Sequence, residues 1–322
     1  MSATVMPPRD GVLPKVAVIV PVYNGEDTIT DCIESLVKLD YPHDALDLIV
    51  VDNRSTDRTR EIVARYPVRL VTEDDVQSSY AARNRGVAST DAPILAFTDA
   101  DCVVERGWVR ALAGAFRSQD VGGVAGTIHA ARTGTAIERY QAGRCIVAER
   151  AFAHPVLPFA QTANAAYRRS AFERIGGFDA SIIYGGDLDF SWRMQRETGL
   201  RLVYEACALV WHQHRSSTRG LFHLYAKNAI GNCLLAERYD HYASFPTVRT
   251  LLYLTREASH SGLRAARSAI RRSPGGNGDD HYYDAVRFAG AAWGWLRFRT
   301  GRVRRPTKVC RGEPTGVRLQ RA

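Results

Sequence analysis

The sequence predicts an α/β protein: a mostly parallel sheet with flanking helices, followed by a helical C-terminal extension. Three observations lead there. Val16–Val22 (VAVIVPV) is a short run rich in β-branched apolar residues, the signature of a strand buried on both faces. Runs of the same kind recur at Leu46–Val51, Val68–Thr72 and Pro93–Thr98, separated by amphipathic helical stretches over Asp27–Leu39, Asp57–Tyr66 and Ser78–Ala88. Strand alternating with helix at this spacing is what a parallel sheet with crossover helices needs. Third, Asn24, Asp52, Glu73 and Asp99 all fall just past predicted strand ends. In open sheets of this kind, ligands collect at the carboxyl ends of the strands.

Beyond Trp108 the pattern loosens into a mixed region, Val121 to Trp211, with a helix expected over Asp187–Glu197. A long helix is expected over Thr218–Tyr239 and another over Val248–Arg272. A turn at SPGGNGDD (Ser273–Asp280) then leads to a last helix over Tyr282–Thr300. There is no internal repeat.

Composition narrows the class. The 322 residues are 45% hydrophobic and 24% charged, enough for one large core or a core plus a smaller appendage. The first residues, MSATVMPPRDGVLP, lack a cationic start followed by an apolar stretch, so no signal peptide is expected. No run approaches the ~18 apolar residues of a membrane-spanning helix. The six cysteines are scattered without metal-ligand spacing and are expected as reduced thiols in a cytoplasmic protein. The net charge of +9 is uneven: Thr247–Ala322 holds 16 Lys and Arg against 5 Asp and Glu, while the remainder is close to neutral. A basic groove across the folded body is not supported, so nucleic acid is not an expected partner.

The motifs exclude some chemistries and invite others. PVYNG (Pro21–Gly25) lacks the spaced glycines of a dinucleotide fingerprint, and GxxxxGK[ST] does not occur. In VVDNRSTD (Val50–Asp57), Asp52 can accept a hydrogen bond from a base or ribose, while Ser55 and Asp57 can cap the next helix. Asp52 and Asn53 can equally be turn residues. AFTDADCVVERGW (Ala96–Trp108) puts Asp99 and Asp101 two apart at a strand end, where they repel unless a cation sits beside them. A helix N-cap pair is the alternative.

PVYNG, VVDNRSTDRT and AFTDADCVVERGW, in this order, resemble the family 2 glycosyltransferases of the GT-A fold. The resemblance continues through AARNRGV (Ala81–Val87), TANAAYRRSAFERIGGFD (Thr162–Asp179) and YGGDLDFSWRM (Tyr184–Met194), covering roughly residues 15 to 215. It implies a nucleotide-binding half at 15–108 and an acceptor-binding half at 109–215, with an extension at 1–14, a helical region at 216–305 and a basic tail at 306–322. Pro21, Val22, Tyr23 and Asn24 would flank the nucleotide base, with Asp52 and Asn53 at base or ribose. Arg83 and Ala100 would face the nucleotide. Asp99 and Asp101 match the DxD motif, Asp101 as direct ligand of a divalent ion and Asp99 between ribose and metal. A hard Mg²⁺ or Mn²⁺ suits a leaving diphosphate independently of any resemblance.

Asp187 aligns with the residue that removes the acceptor's proton in these inverting enzymes, although it could also cap a helix. The family usually shows Gly-Glu-Asp there, and this chain has Gly186 where Glu is expected. Asn164, Gly186 and Asp189 are expected near acceptor or donor sugar. In VWHQH (Val210–His214), His212 and His214 are candidates to complete the metal site, His212 the better match, with a structural histidine as the alternative. The QxxRW motif of processive synthases is missing, and Lys227 or His223 could meet the diphosphate. The expected reaction is transfer of one sugar from a nucleoside-diphosphate sugar, with UDP favoured, to an unidentified acceptor. A nucleotidyltransferase and a non-catalytic sugar-nucleotide binder are the rivals. The basic, aromatic stretch Ala289–Arg305 either docks on the body or contacts an anionic membrane.

Overall fold

The computed structural model describes residues 13–144, 147–182, 184–214, 216–239, 248–270 and 278–301. Its first half runs β1 (Val16–Val22), α1 (Ile29–Val37), β2 (Leu46–Asp52), α2 (Thr59–Val63), β3 (Arg69–Thr72), α3 (Ser79–Ala88) and β4 (Ile94–Phe97). The second half continues with β5 (Cys102–Val104), α4 (Trp108–Gly114), β6 (Val121–Ala130), α5 (Ala136–Ala142), α6 (Ala148–Phe152), β7 (Ala165–Arg168), α7 (Arg169–Arg174), α8 (Gly186–Thr198) and β8 (Arg201–His212). Three long helices close the described chain: α9 (Thr218–Arg238), α10 (Val248–Ile270) and α11 (Gly278–Arg299). Residues 1–12, 273–277 and 302–322 lie outside the described residues, and with them the expected extension, most of the expected turn and the basic tail. Gly278–Asp280, expected in that turn, instead begin α11 with two acids in its first turn, where they complement the helix dipole.

Eight strands form one sheet in the order β3-β2-β1-β4-β7-β6-β8-β5. The pairs β1–β2, β1–β4, β2–β3 and β6–β8 are parallel, whereas β7 and β5 run antiparallel to their neighbours. All seven residues of β1 are buried, and they alternate between the two faces of the sheet. Val16, Val18, Val20 and Val22 enter one core with Ile29, Ile33 and Leu36 of α1. Ala17 and Ile19 enter the other with Tyr80, Ala82 and Val87 of α3. A strand apolar at every position is what covering on both faces demands.

α9 and α11 pack with unusually close backbones. A Cβ on Gly290 would lie 2.4 Å from the carbonyl oxygen of Phe222, and one on Gly294 would lie 2.1 Å from that of Ala226. Only glycine permits that approach. Trp295 and Phe298 then bury against Ile230, Cys233 and Leu234. The aromatic stretch beginning at Ala289 is therefore docked as far as it is described. α10 lies outermost, against α11. No helix among the described residues is long and apolar enough to cross a membrane.

Candidate active site

The carboxyl ends of β1, β2 and β4 open on one side of the sheet, and the loops there are laced together. The N–H of Asn24 donates to Ser55 Oγ (2.9 Å), that of Gly25 to Thr59 Oγ1 (2.9 Å) and that of Glu26 to Asp57 (3.0 Å). Thr56 N–H returns a bond to Asn24 Oδ1 (2.8 Å). Asn24 sits at φ 49°, a left-handed conformation that asparagine tolerates better than most residues. Its side-chain oxygen thus holds the loop. Tyr23 beside it is 53% exposed and faces solvent.

Asp52 closes β2 and is fully buried. Its Oδ2 accepts from Arg60 Nε (2.6 Å) and from the N–H of Ser55 (3.3 Å). Its Oδ1 has no partner, although it is sealed from water. A buried carboxylate oxygen without a donor costs free energy unless a ligand supplies one. Asn53 is occupied otherwise. Its amide donates to the carbonyls of Glu73 (2.8 Å) and Val76 (2.9 Å), clamping the loop after β3.

α3 carries two further groups into the cleft. Arg83 is buried and pairs with Asp99, while its guanidinium lies 5.4 Å from the centre of the Tyr80 ring. Ala100 follows Asp99 and is half-buried near Gly25. Asp101 meets the far end of the sheet. β5 pairs antiparallel with β8, setting Cys102 opposite His212. This brings His212 Nε2 to 3.5 Å from Asp101 Oδ1. Asp101, Cys102 and His212 form a cluster whose potential ligand atoms lie within 4.8 Å of one another.

The donor chemistry of that cluster suits a hard divalent ion. Burial and the neighbouring Asp101 and Asp99 push the Cys102 thiol well above its ordinary range, so it stays protonated. What remains is a carboxylate and an imidazole, a set that Mn²⁺ or Mg²⁺ accepts without a soft thiolate. His212 Nδ1 is buried without a partner, so nothing in the fold competes for the ring's tautomer.

His214 lies tilted beside His212 at 5.0 Å between ring centres, and its pKa is pushed down to about 4, first by burial and then by His212. It is neutral at physiological pH. In the unfolded chain it titrates near 6.5, so its stabilising contribution is complete above that pH and is lost as pH falls toward about 4. His214→Gln is expected to flatten the fall in thermal midpoint between those two pH values, which melting curves across the acid range would reveal.

Asp187 is the second residue of α8, and the N-cap position belongs to Gly185 at φ 82°. The capping alternative therefore does not apply. Its Oδ1 accepts from the N–H of Leu188 (2.9 Å) and receives the Tyr80 hydroxyl at 3.5 Å, while its own N–H donates to Tyr80 Oη (3.2 Å). Burial pushes the carboxyl above the usual carboxylate range, partly offset by the Leu188 N–H and by Arg83. Gly186 explains itself through the same ring. A Cβ there would lie 2.7 Å from the Tyr80 ring, so the phenol occupies the space a side chain at 186 would need. Tyr80 and Arg83, one helical turn apart on α3, thus join Asp187 to Asp99. Sequence reasoning missed Tyr80, because nothing local marks a tyrosine that meets its partner 107 residues away.

Two expected sugar contacts have other work. Asn164 is buried, accepting from Trp108 Nε1 (2.8 Å) and donating to the carbonyls of Thr127 (2.8 Å) and Ala208 (2.7 Å). It braces β6, β8 and α4, with its amide oxygen and nitrogen both bonded within the fold. Asp189 is fully buried and accepts from Arg193 (2.9 Å), Arg238 (3.1 Å) and Tyr239 Oη (2.7 Å). It ties α8 to the end of α9. Lys227 lies 5.3 Å from the ring centre of Tyr184, beside the start of α8, and His223 is exposed.

The chain is similar to known glycosyltransferases. The profile of Glycosyl transferase family 2 matches residues 17–176. Glycosyltransferase AglE of Haloferax volcanii is 32% identical over 210 residues, covering 63% of this chain and 68% of that protein. The pre-mycofactocin glycosyltransferase of Mycobacterium tuberculosis is 32% identical over 231 residues, but the match covers only 47% of its length. Among solved structures, mannosyltransferase PcManGT from Pyrobaculum calidifontis, in complex with GDP-Man and Mn²⁺, superposes with a TM-score of 0.61 at 21% identity, over 90% of this chain and 88% of that one. Glucosyl-3-phosphoglycerate synthase from Mycobacterium tuberculosis, bound to Mn²⁺, UDP and phosphoglyceric acid, gives 0.54 at 20% identity over 73% of this chain and 80% of that one. At such identities the likeness is one of fold, a GT-A sheet with its helical continuation. The AglE match and the matched profile place this chain in glycosyl transferase family 2.

Proposed function

We propose that this chain moves a single sugar from a nucleoside-diphosphate sugar, a UDP-sugar, to an acceptor hydroxyl, inverting the anomeric centre and not elongating processively. The observation that carries the reading is the unpartnered, buried Oδ1 of Asp52 at the ligand-collecting end of β2. The imide N–H of uracil would satisfy it. Pro21, Val22, Tyr23 and Asn24 supply the loop against which the base lies, and Arg83 and Ala100 face the nucleotide. Residues 15–108 serve the donor and 109–215 the acceptor.

Asp101 and His212, with Asp99 beside them, are the residues that would hold Mn²⁺ or Mg²⁺, which when bound offsets the charge developing on the leaving diphosphate. Arg83 fixes Asp99 in place, and neutral His214 packs against His212 without adding a competing positive charge. Asp187, with its raised pKa, accepts the acceptor hydroxyl's proton as the new bond forms. The Tyr80 hydroxyl orients that carboxylate by meeting both the side chain and the backbone N–H of Asp187. The reaction takes place in the cytoplasm, with the basic C-terminal region as the part that contacts membrane.

A thermal-shift screen of UDP-, GDP- and dTDP-sugars with and without Mn²⁺ tests the donor, because a ligand raises the melting point according to its excess over its dissociation constant. A guanine base also offers an N–H to Asp52, so a larger shift with GDP-sugars would replace UDP in the proposal. Asp101→Ala is expected to abolish metal-dependent nucleotide binding while the fold stays intact, since removing Asp101 also relieves repulsion with Asp99. Unchanged Mn²⁺–UDP affinity by calorimetry would remove Asp101 from the metal site.

A further inference from the structure

α10 is packed on one side only. Its inner side carries Leu251 and the buried Leu254 together with small residues such as Ala258, Ser261 and Ala265, and packs against α11 and the apolar cluster that α11 shares with α9. Its outer side is different. Leu252, Tyr253 and Leu263 are 63%, 55% and 58% exposed, the largest exposures of large apolar side chains on the described chain, although the Tyr253 ring, at the flank of this face, also meets Phe288 of α11 edge-on (6.2 Å between ring centres). At 3.6 residues per turn they share one arc of about 120° with Arg249, Arg256, Arg264 and Arg267. All four arginines are exposed, and none has a carboxylate within 4.0 Å among the described residues. The one acid of this helix, Glu257, lies just off that arc and is half-buried.

Charge decides what can cover such a face. A second copy docked face to face would set arginine against arginine. The chain's own residues 302–322 carry seven Lys and Arg against one acid, so they too are repelled. The occupant must be negatively charged and must also take up leucine and tyrosine side chains. An anionic bilayer surface offers both: headgroups for arginine and an acyl boundary for apolar side chains.

We propose that the outer face of α10 is a peripheral membrane anchor that lies in the plane of an anionic lipid surface, with Leu252, Tyr253 and Leu263 inserted at the acyl boundary. The anchor deepens the membrane contact proposed above by assigning it to one helix face, and it does not depend on the sugar-transfer reading.

Co-sedimentation of the full chain with phosphatidylcholine vesicles, with and without phosphatidylglycerol, tests the anchor at physiological salt. The chain is expected to pellet with the anionic vesicles alone. The triple variant L252S/Y253S/L263S keeps every basic residue, so residues 302–322 attract lipid equally in both proteins. It is expected to bind about tenfold more weakly or worse, with its melting point unchanged. A Tyr253→Trp variant supplies a second readout that needs no destabilising change: its emission should shift to the blue on anionic vesicles. Wild-type levels of binding by the triple variant, or no blue shift, would overturn the proposal. So would a chain that ignores both vesicle types but self-associates through these residues.

Discussion

Asp187→Asn leaves donor affinity intact and slows sugar transfer by roughly 10²–10⁴-fold, the usual contribution of a positioned general base. Asparagine keeps the shape and still accepts from the N–H of Leu188, so the start of α8 is preserved. Only the capacity to take a proton is lost. Because burial holds the Asp187 carboxyl above its ordinary range, the acid limb of the wild-type pH profile should lie above the usual carboxylate region and vanish in the variant. The same shift acts on stability. An acid whose pKa is raised by folding contributes stability that is present at low pH and lost as pH rises through its folded value. The variant should therefore melt higher than wild type at neutral pH, with the gap closing as pH approaches the unfolded value of ~3.9. Near-normal turnover, with donor affinity measured beside it, would remove Asp187 as the base. Asp189 could not take its place, because its carboxylate is already held by two arginines and a tyrosine.

Asp189→Ala, in contrast, is expected to destabilise the fold by about 3–5 kcal/mol, the cost of removing one partner from a buried ionic network. Arg193 and Arg238 have side chains only 12% and 16% exposed, so neither can turn to water for compensation. Arg238 retains Asp179 at 2.7 Å, which should keep the loss toward the lower end. Urea titration measures the effect. A loss of transfer activity with stability unchanged would return Asp189 to the sugar site.

The parallel half of the sheet was legible because each of its strands is locally apolar. β1 is observed as expected, and β2, β3 and β4 differ from expectation by one residue at an end or two. α2 is shorter than expected, Thr59–Val63, because Asp57 and the residues around it are used to bind the β1 loop. β6, β7 and β8 were not separable in the mixed region. β7 is four residues long, and β8 carries a half-exposed pattern interrupted at its pairing with β6. In the site, residue types at strand ends could be seen, but burial could not. Asn164 and Asp189 look like any polar residue in a motif, and only long-range packing shows their bonds to be already made. His212 meets Asp101 through the β5–β8 pairing, a register that no local pattern encodes.

The ring of Tyr80 and a side chain at 186 compete for one volume, so these two positions form a single hereditary unit. A lineage carrying glutamate at 186 could acquire a tyrosine at 80 only after that glutamate had shrunk to glycine. The reverse journey is also barred, since restoring glutamate first would drive the phenol away from Asp187. An engineer who wishes to rebuild the commoner Gly-Glu-Asp should therefore begin at α3, with a smaller residue at 80, and only then turn to α8.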